Sequence, residues 1–205
     1  MTPDYWPIAT AQLSKRCKVM RGLIKRYPEA TLRTRGNAFS TLARAIVGQQ
    51  ISVKAAQSVW DRLVIAAGDI SPPRMLAMSV EEMRACGLSG SKVVYLKDLA
   101  RHFDDKLVSP RKWPHMSDDE VIDDLVRVKG IGRWSAEMFL IFYLMRPNVF
   151  PVDDIGLIRA IERHFHDSDR LNKAEVLAYA ERWAPWNTVA TWYLWRSLDP
   201  IPVVY

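Results

Sequence analysis

Asp153 and Asp154 stand side by side between a proline-containing loop, Phe150-Pro151-Val152, and an amphipathic run that begins at Ile155. A carboxylate at the start of a helix ordinarily accepts from the unpaired N–H groups there. The same group can instead serve as a fixed anion beside developing positive charge, or as a base for a bound water. On position alone, capping is the ordinary outcome.

A second set lies upstream. Lys129-Gly130-Ile131-Gly132-Arg133 separates two apolar-periodic runs, so two glycines one residue apart make a tight turn between helices. Backbone N–H groups in such a turn can approach an anion closely, and the helix that follows adds partial positive charge. Lys129 and Arg133 flank the turn, while Ile131 can plug into the core beneath it. This arrangement suits a phosphate and carries no base-sequence information. Its backbone carbonyls at 129–132 also offer a seat for a monovalent cation. A third position, Lys92 after Leu88-Ser89-Gly90-Ser91, heads another helix start and can contact a phosphate or stay solvated.

The elements that must hold these residues are helices. Phe39, Leu42, Ala43, Ile46 and Val47 recur at helical spacing, as do Val53, Ala56, Val59, Trp60 and Leu63. Gly48 can end the first run and Ser52 can cap the second, which leaves Gln49 and Gln50 at an exposed junction. Ser71-Pro72-Pro73 reads as a loop. Ser79 with Glu82 and Ser117 with Glu120 read as capping boxes. The spacing predicts helices ending at Gly87 and Val128, and others over 89–103, 155–165, 173–183 and 186–198. The run Arg133 to Met145, apolar on nearly all sides, reads as a buried central helix. No strand pattern or internal repeat is visible.

The chain has 205 residues, 49% of them hydrophobic, enough for one medium domain or two small lobes around a cleft. A net charge of +6 and a pI near 9.4 favour a polyanionic partner, with nucleic acid foremost. Two separated cysteines, Cys17 and Cys86, make neither a disulfide framework nor a four-thiolate metal site, and the four histidines lack ligand spacing, so no metal held by side chains is expected. Residues 1–7 carry an acid and two prolines, unlike a signal peptide, and the most apolar stretch, Met138 to Met145, is too short to span a bilayer. The expectation is a cytoplasmic, nucleoid-associated protein that touches no membrane. Of the eight tryptophans, Trp183, Trp186, Trp192 and Trp195 cluster late. Core packing accounts for Trp183 and Trp186, and for Tyr193 and Phe139.

The segment Leu125 to Glu137, followed by Phe150-Pro151-Val152-Asp153-Asp154, resembles the helix–hairpin–helix (HhH-GPD) superfamily of DNA glycosylases. The branch it most resembles is the bacterial 3-methyladenine DNA glycosylase II type, through Ala45-Ile46-Val47-Gly48-Gln49-Gln50-Ile51-Ser52, Gly130-Ile131-Gly132-Arg133-Trp134 and the segment Tyr179 to Trp186. The resemblance runs over roughly Phe39 to Leu198. It lacks room for the N-terminal β-rich domain of longer members, so a compact form is expected. The resemblance implies an all-α fold of two lobes, with 37–128 as the central lobe and 1–36 plus 129–205 as the second, carrying hairpin and catalytic acid.

The resemblance also implies roles. Asp154 becomes the catalytic acid that stabilises an oxocarbenium-like deoxyribose and orients water; Asp153 becomes a cap or supporting residue. Trp134, Met138 and Trp195 line a base pocket whose indole faces attract cationic, alkylated purines. Trp134 takes the place of the lysine nucleophile of bifunctional relatives. Gln50, with Gln49 beside it, fills the gap left by the flipped base. Lys129 to Arg133 and Lys92 hold phosphates. The expected protein is a monomeric, cofactor-independent monofunctional glycosylase for alkylated purines in double-stranded DNA. The alternatives are a bifunctional glycosylase/lyase for oxidised bases and a non-catalytic DNA-gripping module.

Overall fold

The structure, a computed structural model, describes residues 3–29, 32, 37–167 and 169–198. Those residues hold twelve α-helices and one short 3-10 turn, with no strand among them. The chain divides into two compact units, one of residues 1–34 with 140–204 and the other of residues 35–139.

The first two helices, α1 (Trp6–Arg16) and α2 (Lys18–Arg26), lie in a stretch to which the sequence analysis assigns no element. Their signal is short: Trp6, Ala9 and Leu13 form a buried stripe at helical spacing, with Pro7 in the first turn where its missing N–H costs nothing.

The 35–139 unit is built around α7. Here α3 (Ala38–Gly48) is capped by Asn37, α4 (Val53–Ala67) by Ser52, and α6 (Val80–Ala85) by the expected Ser79–Glu82 box. Between α4 and α6, Ser71-Pro72-Pro73 opens a helix, α5 (Pro72–Ala77), instead of a loop. Prolines in the first turn lose no intrahelical bond, so the pair starts the helix rather than breaking it. Helix α7 (Gly90–Asp104) packs on α3, α5 and α6 through buried Val93, Leu96, Leu99 and Ala100. After the 3-10 turn at Trp113–His115, α8 (Asp118–Leu125) starts at the Ser117–Glu120 box and stops three residues before Val128.

The hairpin joins α8 to α9 (Arg133–Phe142). Val128 N–H reaches the Leu125 carbonyl at 3.1 Å and Ile131 N–H reaches the Val128 carbonyl at 3.1 Å, so the turn closes on itself. Ile131 is 5% exposed and plugs the interior as expected, a burial that stabilises by about 2 kcal/mol. The hairpin falls with residues 35–139, whereas the sequence places it with 129–205. The physical reason is long-range bonding: the Asp98 carboxylate on α7 accepts from Lys129 N–H at 2.8 Å, and Gly130 lies directly against the Tyr95 ring. Helix α9 begins in one unit and ends in the other, and it stops at Phe142 rather than Met145, which takes a left-handed φ of 51°.

In the other unit α12 (Asn187–Leu198) is the hub, packed by α1, α2, α10 (Ile155–Phe165) and α11 (Lys173–Trp183). Its first residues are buried and polar. Thr188 Oγ1 accepts from Val149 N–H at 3.0 Å and donates to the Arg146 carbonyl, while Thr188 N–H reaches the Pro147 carbonyl at 3.1 Å. Asn187 donates to Asn148 Oδ1 at 2.8 Å and to the Ala180 carbonyl at 3.0 Å. The loop that delivers Asp153 and Asp154 is thereby tied to α12. Trp183 and Tyr193 are core residues, and half-buried Trp186 donates to Gln12 Oε1 at 2.8 Å. Among the described residues no helix is long and apolar enough to cross a membrane.

The two hairpin glycines should respond differently to a methyl group. Gly130 has φ 82°, and a Cβ there would lie 2.3 Å from Tyr95 Cδ2; at Gly132 a Cβ meets nothing within 4 Å. Gly130→Ala is expected to cost roughly 2–4 kcal/mol, from left-handed strain and overpacking, and so to lower Tm by roughly 5–15 °C. Gly132→Ala should leave Tm within a few degrees of about zero change. Thermal unfolding of both variants checks this, and equal losses would contradict it.

Candidate functional site

The pair of acids resolves into two different residues. Asp153 is exposed, and its Oδ1 pairs with Lys173 Nζ at 2.6 Å. Asp154 is only 9% exposed and is the N-cap of α10. Its Oδ1 accepts from Leu157 N–H at 2.6 Å and from the Trp195 indole Nε1–H at 2.7 Å. The cap therefore belongs to the same acid as the candidate chemistry.

Two further residues shape this corner, and neither was singled out from the sequence. A Cβ on Gly156 would lie 3.1 Å from Asp154 Oδ1 and 3.2 Å from Trp195 Cδ1, so a side chain there would crowd both partners of the indole–carboxylate bond. Phe142 stacks on Trp195 with ring centroids 5.9 Å apart and planes at 12°, which fixes the indole. A glycine two residues after an acid was the only sequence signal for the first; the second had none, since its partner lies far along the chain.

The remaining expected residues fall at several places. Trp134, the second residue of α9, is 38% exposed. Met138 on the same helix is 3% exposed. One turn separates the two, but only the first turn of α9 reaches the surface. Gln50 is exposed and has a left-handed φ of 57°, while Gln49 is half-buried and donates from Nε2 to the Gly130 carbonyl at 2.8 Å.

The cationic groups around the hairpin are partly engaged. Arg133 donates from Nε to Glu137 Oε1 at 3.1 Å and from a terminal nitrogen to Asp119 Oδ1 at 3.3 Å. Lys92 Nζ donates to the Val47 carbonyl at 2.7 Å, and burial pushes its pKa down. Half-exposed, it holds the end of α3 through that bond. Lys129 is exposed. Of the carbonyls at 129–132, that of Gly130 accepts from Gln49 and that of Gly132 from Ala136 N–H at 3.0 Å. Among the described residues no group of three or more His, Cys, Asp or Glu side chains could hold a metal ion.

This geometry offers a restrained, partly shielded carboxylate in one unit and, in the other, a backbone turn at whose second glycine a Cβ would meet nothing within 4 Å. Asn at position 154 can still accept from Leu157 N–H, so Asp154→Asn should fold with an unchanged unfolding midpoint. Asp154→Ala removes the cap and should cost about 1 kcal/mol. A lower midpoint for the Ala variant alone is the expected calorimetric result; equal loss in both would put the capping geometry in error.

Comparison with known proteins places residues 43–185 in the family described as the HhH-GPD superfamily base excision DNA repair protein. DNA-3-methyladenine glycosylase 1 of Schizosaccharomyces pombe is 37% identical over 164 residues, which are 78% of this chain and 72% of that protein. The YfjP protein of Bacillus subtilis is 32% identical over 171 residues, 80% of this chain and 60% of its own length. A solved structure of a Schizosaccharomyces pombe 3-methyladenine DNA glycosylase in complex with abasic DNA aligns with a TM-score of 0.78 and 34% identity, over 92% of this chain and 95% of that one.

Proposed function

The chain belongs to the HhH-GPD superfamily of base excision DNA repair proteins, and on that premise we propose that it is a monofunctional DNA glycosylase that releases alkylated purines, of the 3-methyladenine and 7-methylguanine class, from double-stranded DNA. The observation that carries the reading is the pinned carboxylate of Asp154, 9% exposed and held on Oδ1 by Leu157 N–H and the Trp195 indole. Relatives that share the sequence at 37% identity are DNA-3-methyladenine glycosylases, which supports the substrate class.

The chemistry follows from the charge. Alkylation at a purine ring nitrogen leaves the base cationic. The C1′–N bond breaks with its electron pair going to the base, which departs as a neutral methylpurine. Positive charge develops on the deoxyribose, and a fixed anion stabilises it where it forms. A water oxygen then bonds to C1′, its proton passing to Asp154 or solvent, and an abasic site remains. The leaving group needs no general acid. Trp134 supports hydrolysis over lyase chemistry, because an indole cannot form the Schiff base that a lysine would. Its exposed ring supplies a π surface for a cationic base.

Binding follows the same division. The hairpin at Lys129 to Arg133 grips a phosphate through backbone N–H groups, with the open space at Gly132 admitting close approach. Gln50 enters the stack where the base has left. The protein acts as a monomer in the cytoplasm, on the nucleoid, and its chemistry needs no cofactor; a monovalent cation at the hairpin carbonyls would serve only the phosphate grip.

Incubation with methylated duplex DNA should release free methylpurine without strand cleavage, and borohydride should trap no covalent adduct. A trapped adduct would select the bifunctional reading, and no release the non-catalytic one. Asp154→Asn should slow release by about 100-fold or more. Gln50→Ala should weaken binding to lesion-containing DNA and slow release by roughly tenfold, the scale of a partly uncompensated unstacking cost; wild-type single-turnover kinetics for it would argue against a wedge.

A further inference from the structure

The half-buried Gln49 side chain spans from the end of α3 to the hairpin, its Nε2–H donating to the Gly130 carbonyl at 2.8 Å across 81 residues of sequence. It immediately precedes Gln50, whose left-handed φ of 57° is a conformation that non-glycine residues hold only when their surroundings impose it. The two segments are also fixed to one helix. From α7, Lys92 Nζ holds the Val47 carbonyl at 2.7 Å and Asp98 Oδ2 holds Lys129 N–H at 2.8 Å. The Gln49 amide closes this circuit on the side facing Gln50, linking a turn that contains left-handed Gly130 to a junction that contains left-handed Gln50.

We infer that Gln49 is a positioning residue, not a second wedge: its amide locks the Gln50 junction to the phosphate-gripping hairpin, so that seating the hairpin on a phosphate presents Gln50 to the base stack. The inference rests on the glycosylase reading above for the roles of hairpin and wedge. It differs in what it assigns. Swinging Gln49 into DNA would strip the Gly130 carbonyl of its donor and release the Gln50 backbone together, so the residue works by staying where it is.

The test uses a duplex with a tetrahydrofuran abasic analogue beside 2-aminopurine, whose fluorescence rises when it unstacks. Gln49→Met keeps the length of the side chain and removes the donor. Gln49→Glu keeps the shape and sets an oxygen against the Gly130 carbonyl. Each should slow the fluorescence rise by about tenfold, the scale of one hydrogen bond, and Gln49→Met, which adds no charge, should leave the affinity for undamaged duplex unchanged. In a Gln50→Ala background, Gln49→Met should add no further loss, because no wedge remains to be aimed. Wild-type unstacking by both variants, multiplying losses in the double variant, or no fluorescence change with the unaltered protein would overturn the inference. An unaltered protein that unstacks the probe but frees no methylpurine would sink the glycosylase reading and leave Gln49 in its role.

Discussion

The structure depends on one hydrogen-bonded carboxylate. Asp154 Oδ1 receives two donors from different helices, the first turn of α10 and the indole of α12. Each bond constrains what the sequence can place nearby. The cap requires a short acceptor at 154. The indole bond favours a glycine at 156, since a Cβ would sit a tight 3.1 Å from the same oxygen. The loop before the acid must arrive at a fixed height, and Thr188 and Asn187 set it by binding the backbone and side chains of residues 146–149. A charged group held this way need not reorganise when positive charge appears beside it, which is the condition under which electrostatic stabilisation is largest.

The hairpin follows a different logic. Its first glycine is explained by the protein itself, through a left-handed φ and the Tyr95 ring beneath it. Its second is not: a methyl group at 132 would touch nothing. Internal packing therefore shapes one residue of the turn and leaves the next open to an outside partner. The side-chain cations that flank the turn contribute less than their charge suggests. Arg133 pairs with Glu137 and Asp119, whereas Lys129 is exposed; on the proposed reading the grip on a phosphate combines the oriented backbone dipoles with the Lys129 charge.

What could be read from the sequence was mostly local. The boxes at Ser79–Glu82 and Ser117–Glu120, and the cap at Ser52, form as expected because every partner lies within four residues. Pro72 and Pro73 misled for the opposite reason: whether a proline pair breaks or begins a helix depends on which side the helix lies. The choice between Asp153 and Asp154 was legible only through family resemblance, since both acids suit the same helix start. The bonds that distinguish their surroundings, to Trp195 and Lys173, reach 41 and 20 residues along the chain. The boundary between the two units moved past the hairpin for a similar cause, because Asp98 and Gln49 are distant in sequence and adjacent in the fold.

On the proposed chemistry, selectivity divides between the site and the lesion. A fixed carboxylate of this kind is worth about two to three powers of ten in rate, and it acts on any deoxyribose presented to it. An alkylated purine already carries the positive charge that a normal purine would have to gain from an acid before leaving. Indole faces add attraction for that cation, on the order of 1–2 kcal/mol where it is desolvated, which cannot by itself reject the large excess of normal bases. Lability of the glycosidic bond must then supply most of the discrimination. A site with an anchored anion, aromatic surfaces and no lysine at position 134 is matched to leaving groups that need only the sugar's charge to be stabilised. The absent nucleophile and the buried acid are thus parts of one arrangement: each confines the reaction to bases that damage has already made ready to depart.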